Sequence, residues 1–395
     1  MTSFEPLQQE LDQLKAQGLY RDWRRVEAID EGRIRVDGRW LVHLASNNYL
    51  GLTMHPRVIA AAQSATAEYG TGAGSARLIG GTFELHEALE RKLAEFKQAQ
   101  AALLFPTGYM ANLGIIPALV GPGDLVIGDH LNHASLIDAC RLSRASFRVY
   151  PHRDVEWLGA ALKRRAGKYR RILIVTEGLF SMDGDLAPLP EIAEMTQRYG
   201  AWLLLDDAHA TGVFGPNGRG TLEHFGVSTE GVLQMGTLSK ALGSLGGYLA
   251  GPRAVVELLK NRARSFIYTT AMPPGCAAAA LEALRVIEQE PHWRAQLSEN
   301  MNGWVTRLRQ AGVDLVSDAS QIVPVRVGSS EQTMALAQRL WDAGVYAPGI
   351  RPPTVPVGQA RIRTSVTSRH TAADLDQAAR LFGEIWSRRR IPAWA

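Results

Sequence analysis

The stretch RILIVTEGLFSMDGDLAPLPEIAEMTQRYGAWLLLDDAH (171–209) reads as one strand–helix–strand unit. ILIV and WLLL are short apolar runs without alternation, which is what a strand covered on both faces requires. LPEIAEMTQRYG between them carries its apolar residues at helical spacing. The same rhythm extends outward in both directions through AALLF (101–105), DLVIGD (124–129), FRVY (147–150), VLQMG (232–236) and GYLAG (247–251). GYMANLGIIPAL, HASLIDACRLS and DVEWLGAALKRRA fill the gaps with helical patterns. Residues 50–290 are therefore expected to form an α/β domain, a large, mostly parallel sheet covered by helices.

The chain ends follow another order. A helix over 294–311 precedes QIVPVRVG (321–328), a helix from Ser330 to Ala343, ARIRTSVT (360–367) and a last helix, an α+β pattern over 291–395. At the start, Phe4, Leu7, Leu11 and Leu14 share a helical face, and Gly18 is a stop. Ile34 and Val36, the turn Asp37-Gly38, then Trp40, Val42 and Leu44 spell a hairpin. Residues 1–49 thus read as part of a small unit, and the smaller α+β domain is built from both chain ends. KRRAGKYRR (163–171) and Arg388, Arg389 and Arg390 read as solvated, basic helix ends.

Composition narrows the class. The chain has 395 residues, 46% hydrophobic and 21% charged, which excludes disordered and fibrous classes. A net charge of +4 at this size argues for neither a nucleic-acid nor a membrane partner. Cys140 and Cys276 are far apart, so neither a disulfide framework nor a zinc cluster is expected. MTSFEPLQQELDQLKAQ lacks the apolar centre of a secretory signal, and no run of 18 apolar residues occurs, so a cytoplasmic location is expected. His130 and His133, like Asp206 and His209, stand three apart without the companions of a metal site, so no metal is expected. Met182-Asp183-Gly184-Asp185 lacks the spacing of a calcium loop. GTGAGSARLIGG (70–81) follows no strand, so it fails as a dinucleotide fingerprint and reads as a mobile or closely packed loop.

In open α/β sheets the chemistry sits at the carboxyl ends of strands. There WLLL ends in Asp206-Asp207-Ala208-His209, ILIV in Thr176-Glu177-Gly178 followed by Ser181, and VLQMG in Thr237-Leu238-Ser239-Lys240. A lysine in such small, weakly polar company is partly desolvated, which lowers its pKa and favours an imine. A carboxylate behind three leucines needs a cation or a strong donor, and a protonated pyridine nitrogen serves. The turn Pro106-Thr107-Gly108-Tyr109 offers free N–H groups to a phosphate, with hydroxyls from Thr237 and Ser239. Each feature alone has an ordinary alternative: a surface lysine, a salt bridge or cap, a structural histidine, a plain turn. Together they are what pyridoxal phosphate requires.

SNNYLGL (46–52), GTGAGSARLIGGTFELHEALE (70–90), HASL (133–136), TEGLFSMDGD (176–185), DDAHATG (206–212), TLSKALG (237–243) and YTTAMPP (268–274) occur in this order along nearly the whole chain. In this the sequence resembles the α-oxoamine synthases, fold type I enzymes that use pyridoxal 5′-phosphate. GIRPPTVPVGQARIR (349–363) and LYRDWR (19–24) look most like the branch that joins L-alanine to a pimeloyl thioester, pimeloyl-CoA or pimeloyl-acyl carrier protein. That branch makes 8-amino-7-oxononanoate, carbon dioxide and free thiol carrier in biotin biosynthesis. The resemblance implies that Lys240 is the Schiff-base lysine, that Asp206 pairs with the pyridine nitrogen and that His209 lies near the ring oxygen. His133 stacks on the ring, Ser181 lies close to the cofactor, and Gly108, Tyr109 and Thr237 bind phosphate. It implies a homodimer with shared active sites, in which Thr269 or Thr270 serves the phosphate of the other subunit. Arg351 matches a position that binds the amino-acid carboxylate. Arg21 and Thr354 match positions that touch the acyl substrate, and Asn47 belongs to the same pocket. The rival readings are a sibling synthase using glycine and a short acyl-CoA, a noncatalytic paralogue acting as a binding partner, and a nicotinamide dehydrogenase.

Overall fold

A computed structural model describes residues 4–387; the expected basic terminus Arg388–Arg390 lies outside the described residues. Seven strands form the central sheet: β1 Ala101–Phe105, β2 Leu125–Asp129, β3 Ser146–Tyr150, β4 Ile172–Glu177, β5 Trp202–Asp206, β6 Val232–Thr237 and β7 Gly247–Gly251. Their order across the sheet is β1-β7-β6-β5-β4-β2-β3. β7 runs antiparallel to both of its neighbours, and every other pairing is parallel.

Side-chain alternation explains what the sheet presents. Leu203 and Leu205 of β5 pack on one face and Leu204 on the other, so both faces of this strand are core. Asp206 comes next in the alternation and projects to the face of Leu204. Glu177, two residues after Val175, and Thr237, two after Met235, project to that face as well. Helices Gly108–Leu119 and Ala134–Leu142 cover it, and Val155–Arg165 and Leu189–Tyr199 cover the other. Strand register sets Glu177 beside Asp206, Asp206 beside Met235, Thr237 beside Gly247, and Gly247 beside Phe105. Polar strand ends are thereby lined up along one edge of an otherwise apolar sheet.

The chain ends meet in two small sheets. The hairpin Arg33–Val36 and Arg39–His43 is joined in parallel by Val345–Tyr346. Ala360–Ser365 is the middle strand of a second small sheet, between Ile322–Gly328 and Gly349–Ile350. One apolar core holds Leu44, Leu89, Leu284 and Phe382, and so runs across residues 49 and 290. The glycine-rich loop is closely packed at its end: a Cβ at Gly81 would lie 2.1 Å from the Ser75 carbonyl oxygen. Residues Glu5–Ala16 form the first helix, but Phe4, Leu7, Leu11 and Leu14 are all exposed. Its apolar face therefore meets no cover among the described residues. Lys163, Arg164 and Arg165 close their helix at its carboxyl end, where cations oppose the helix dipole. Among the described residues no helix is long and apolar enough to cross a membrane.

Leu204 is fully buried directly ahead of the polar strand end. Leu204→Ala is expected to lower the unfolding free energy by about 2–5 kcal/mol, measured by urea denaturation. A loss below about 1 kcal/mol would mean that this strand is not packed on both faces.

Candidate active site

Lys240 sits in the turn after β6. The turn is closed by hydrogen bonds from Leu238 N–H to the Gly246 carbonyl (2.9 Å) and from Gly243 N–H to the Lys240 carbonyl (3.0 Å). Gly243 is required there: its φ is +63°, and a Cβ would lie 2.6 Å from the Thr53 nitrogen. Lys240 Nζ lies 2.8 Å from His209 Nε2, and His209 Nδ1 lies 2.6 Å from the Tyr49 hydroxyl. Tyr49 in turn donates to Asn47 Oδ1 at 3.1 Å, which also accepts from Arg363 Nη2 at 3.2 Å. The donors run consistently along the chain when His209 is neutral with its proton on Nδ1. Burial, with the nearby charges of Lys240 and Arg363, does hold His209 well below its ordinary pKa. Lys240 is half-buried by area, and desolvation falls on its ammonium end. Burial lowers its pKa to about 8, against the opposing pull of Asp206 and Glu177.

Asp206 and Asp207 are adjacent, buried and differently employed. Asp207 forms an ion pair with Lys97 at 3.1 Å and accepts from the Thr221 hydroxyl at 2.7 Å. Asp206 accepts only from neutral donors, Asn112 Nδ2 at 3.0 Å and Ala208 N–H at 3.1 Å. Among the described residues no cation forms an ion pair with it. A buried carboxylate without a cation is rare and costly, so this one is provisioned for a positive group that binds from outside.

Glu177, named at a strand end but not counted among the site residues, lies beside it. Burial first, then the charge of Asp206, pushes its carboxyl well above the usual range. Glu177 Oε1 accepts from the His133 backbone N–H at 2.5 Å. His133 caps the helix Ala134–Leu142, its ring edge-on to Tyr109 at 6.3 Å, and desolvation lowers its pKa although the residue is exposed by area. Thr107 caps Gly108–Leu119 by accepting from Met110 N–H at 3.1 Å. The N–H groups of Gly108 and Tyr109 have no acceptor in that helix. Thr237 Oγ1 lies 2.8 Å from Ser239 Oγ, and a Cβ at Gly108 would be 3.4 Å from Thr237 Oγ1. N–H groups and the Ser239 hydroxyl thus gather at one corner, as phosphate requires, beside Thr237, whose own hydroxyl donates to the Gly246 carbonyl at 2.8 Å.

Arginines divide between two places. Arg21 Nη2 approaches Thr354 Oγ1 at 3.5 Å, and Arg351 Nη2 donates to the Tyr20 carbonyl at 3.0 Å. All three residues line an open cavity of about 540 Å³. Asn47, expected in the same pocket, instead lines a separate cavity with Ser239 and Arg369, because it follows the hairpin inward to Tyr49 and Arg363. The guanidinium that acts on Lys240 and His209 is that of Arg363, which the sequence reading missed. Arg363 is buried on a strand, donates to the Ser181 carbonyl at 2.7 Å, and has no carboxylate partner among the described residues. Arg361, two residues before it, pairs with Asp183 at 2.6 Å. Two arginines at strand spacing on a buried strand were the available signal. Thr269 is half-buried, and the exposed Thr270 bridges Ala76; neither joins the Lys240 cluster within this chain. Among the described residues no group of three His, Cys, Asp or Glu is arranged to hold a metal ion.

The family model for class I and II aminotransferases matches residues 40–382. The 8-amino-7-oxononanoate synthase of Symbiobacterium thermophilum is 49% identical over 96% of this chain and 97% of its own. Among solved structures, a serine palmitoyltransferase variant from S. paucimobilis, with a pyridoxal phosphate–myriocin aldimine bound, matches with a TM-score of 0.92 at 33% identity, over 98% of each chain. The 8-amino-7-oxononanoate synthase of Francisella tularensis matches with a TM-score of 0.77 at 28% identity, over 89% of this chain and 99% of that one. The chain belongs to the class I and II aminotransferase family, the pyridoxal-phosphate enzymes of fold type I. Within it, the chain belongs with the 8-amino-7-oxononanoate synthases, acyltransferases of the α-oxoamine synthase group that serve biotin biosynthesis.

A lysine with its pKa near 8 is neutral, and so nucleophilic, at lower pH than an ordinary lysine at 10.5. Labelling of the cofactor-free protein with an amine-directed reagent, read by peptide mass mapping, should show Lys240 reacting with a midpoint about pH 8. A midpoint above 10 would mean that this amine is fully solvated.

Proposed function

We propose that this chain condenses L-alanine with a pimeloyl thioester, pimeloyl-CoA or pimeloyl-acyl carrier protein, to give 8-amino-7-oxononanoate, carbon dioxide and free thiol. The observation that carries this reading is the placing of Lys240 and the cation-free carboxylate of Asp206 on one sheet edge, beside a phosphate-type corner. The cofactor is pyridoxal 5′-phosphate, and these groups fit it: an amine for its aldehyde, a carboxylate for its ring nitrogen, and donors for its phosphate. When bound, it supplies an electron-poor ring that takes up the electron pair of a breaking bond at the amino-acid Cα.

The residues divide the remaining tasks. Lys240 would hold the cofactor through its Nζ and would take up the alanine Cα proton on that same atom; an amine with a pKa near 8 is suited to both. Asp206 would hold the proton on the ring nitrogen, and His209 and His133 would complete the ring's pocket. Gly108, Tyr109 and Thr237 hold the phosphate, with Ser181 close by. Thr269 and Thr270 reach the phosphate of the second subunit in a homodimer, which accounts for their distance from Lys240 in this chain. Arg363, buried and without a carboxylate partner among the described residues, receives the carboxylate of alanine through its paired donors. Arg351 then acts with Arg21 and Thr354 in the outer cavity, on the distal carboxylate of the acyl group.

Purified protein supplied with pyridoxal phosphate should be yellow, and with pimeloyl-CoA it should turn over alanine in preference to glycine or serine. A preference for glycine or serine would reassign the substrate, and a colourless protein would end the proposal. Lys240→Ala should abolish the visible absorbance of anchored cofactor. Arg363→Ala should raise the alanine KM about tenfold or more and leave the pimeloyl-CoA KM nearly unchanged, with Arg21→Ala doing the reverse.

A further inference from the structure

Asn112 lies on the first turns of the helix Gly108–Leu119, fully buried and facing the sheet. Its Nδ2 spends both hydrogens inside the protein, one on Asp206 Oδ2 at 3.0 Å and one on Ser135 Oγ at 3.0 Å. Ser135 Oγ, itself buried, lies 2.8 Å from His133 Nδ1. One amide therefore ties the Asp206 carboxylate, through Ser135, to the His133 imidazole. Its other atom, Oδ1, is buried with no hydrogen-bond partner. An unsatisfied buried acceptor is a burden that an apolar residue of similar size would avoid. The amide cannot relieve it by turning over, because Oδ1 would then face a carboxylate oxygen. The side chain is kept for its two donors.

We infer that Asn112 is a positioning residue for the cofactor, orienting Asp206 and, through Ser135, fixing His133. The donors order the protons. Asn112 gives a hydrogen to Ser135 Oγ, so the serine hydroxyl turns its own hydrogen to His133 Nδ1. Ser135 N–H points at the same nitrogen at 3.2 Å. Nδ1 is therefore an acceptor, and the imidazole carries its proton on Nε2. The Ser135 backbone N–H sets that tautomer, and Asn112 holds the serine hydroxyl that bonds the same nitrogen. Neither Asn112 nor Ser135 is among the groups assigned to the cofactor or the substrates above.

This inference rests on the proposed function, and the experiment separates their failures. The wild-type protein must first bind pyridoxal phosphate and turn over alanine; failure there rejects the function and this inference together. Asn112→Leu, close in size and without donors, should then weaken pyridoxal phosphate binding about tenfold or more, read by the visible absorbance during cofactor titration. In an Asp206→Asn background the same change should alter that dissociation constant by less than about twofold, since the two side chains act as one unit. Ser135→Ala spares the contact with Asp206, so it should keep cofactor affinity within about twofold while lowering kcat and leaving the alanine KM unchanged. Equal losses from Asn112→Leu in both backgrounds would reduce Asn112 to a packing residue and overturn the inference. So would an unchanged cofactor affinity in Asn112→Leu. Should Asn112→Leu not fold, Asn112→Ser carries the same expectations and the same overturning results.

Discussion

A carboxylate and an amine of opposite charge are held on one buried edge and kept from neutralising each other. Lys240 Nζ is engaged by His209 at 2.8 Å, and Asp206 by Asn112 at 3.0 Å, so each charge has a neutral partner. A direct ion pair would recover much of the desolvation that each group suffers, and it would also use up both functions. The fold prevents it with strand geometry. Asp206 ends β5, whereas Lys240 lies three residues past β6 in a turn closed by backbone hydrogen bonds. A cofactor that needs both a carboxylate and an amine would require them to be kept apart in this way.

The pair Asp206-Asp207 shows how the sheet assigns roles to identical residues. Strand alternation turns one carboxylate toward Asn112 and the other toward Lys97 and Thr221. Lys97, fully buried, reaches Asp207, Thr211 and the Arg219 carbonyl, and so pins the turn that carries His209. A completed ion pair of this kind stabilises only if its remaining donors are satisfied, as they are here. The neighbouring carboxylate has no counter-charge among the described residues, which is what the proposed role of Asp206 toward a ring nitrogen calls for.

How much of this was legible in the sequence follows from the range of each interaction. The strands were readable because an apolar run of about five residues is a local signal, and their order of polar ends placed Lys240, Asp206 and His209 together. Arg363, Asn112 and Glu177 were not singled out. Each draws its role from a partner far along the chain: Arg363 from Asn47 and Ser181, Asn112 from Asp206, Glu177 from His133. Nothing in GYMANLGIIPAL distinguishes its asparagine until the helix is laid on β5. The first helix fails in the opposite sense. Its pattern is correct, yet a pattern states only that a face is apolar, not what covers it.

Backbone likeness does not decide the substrate. The chain superposes on a serine palmitoyltransferase with a TM-score of 0.92 and on a named 8-amino-7-oxononanoate synthase with 0.77, although its sequence relatives carry the latter name. Fold specifies the cofactor's place, and side chains specify what meets it. The difference between a long fatty acyl chain and a pimeloyl chain is the charge at the far end. The outer cavity holds Arg21, Arg24 and Arg351 against the single acid Asp22. Arg24 lies over the Trp341 ring at 4.4 Å, whereas Arg21 and Arg351 have no carboxylate partner among the described residues. A methyl-ended chain would strip water from those guanidiniums and return nothing, whereas a chain ending in a carboxylate replaces that water with charge-assisted hydrogen bonds. With Arg363 inside and Arg21 and Arg351 outside, guanidiniums stand at two separate places, as the proposed pair of carboxylate-bearing substrates would need.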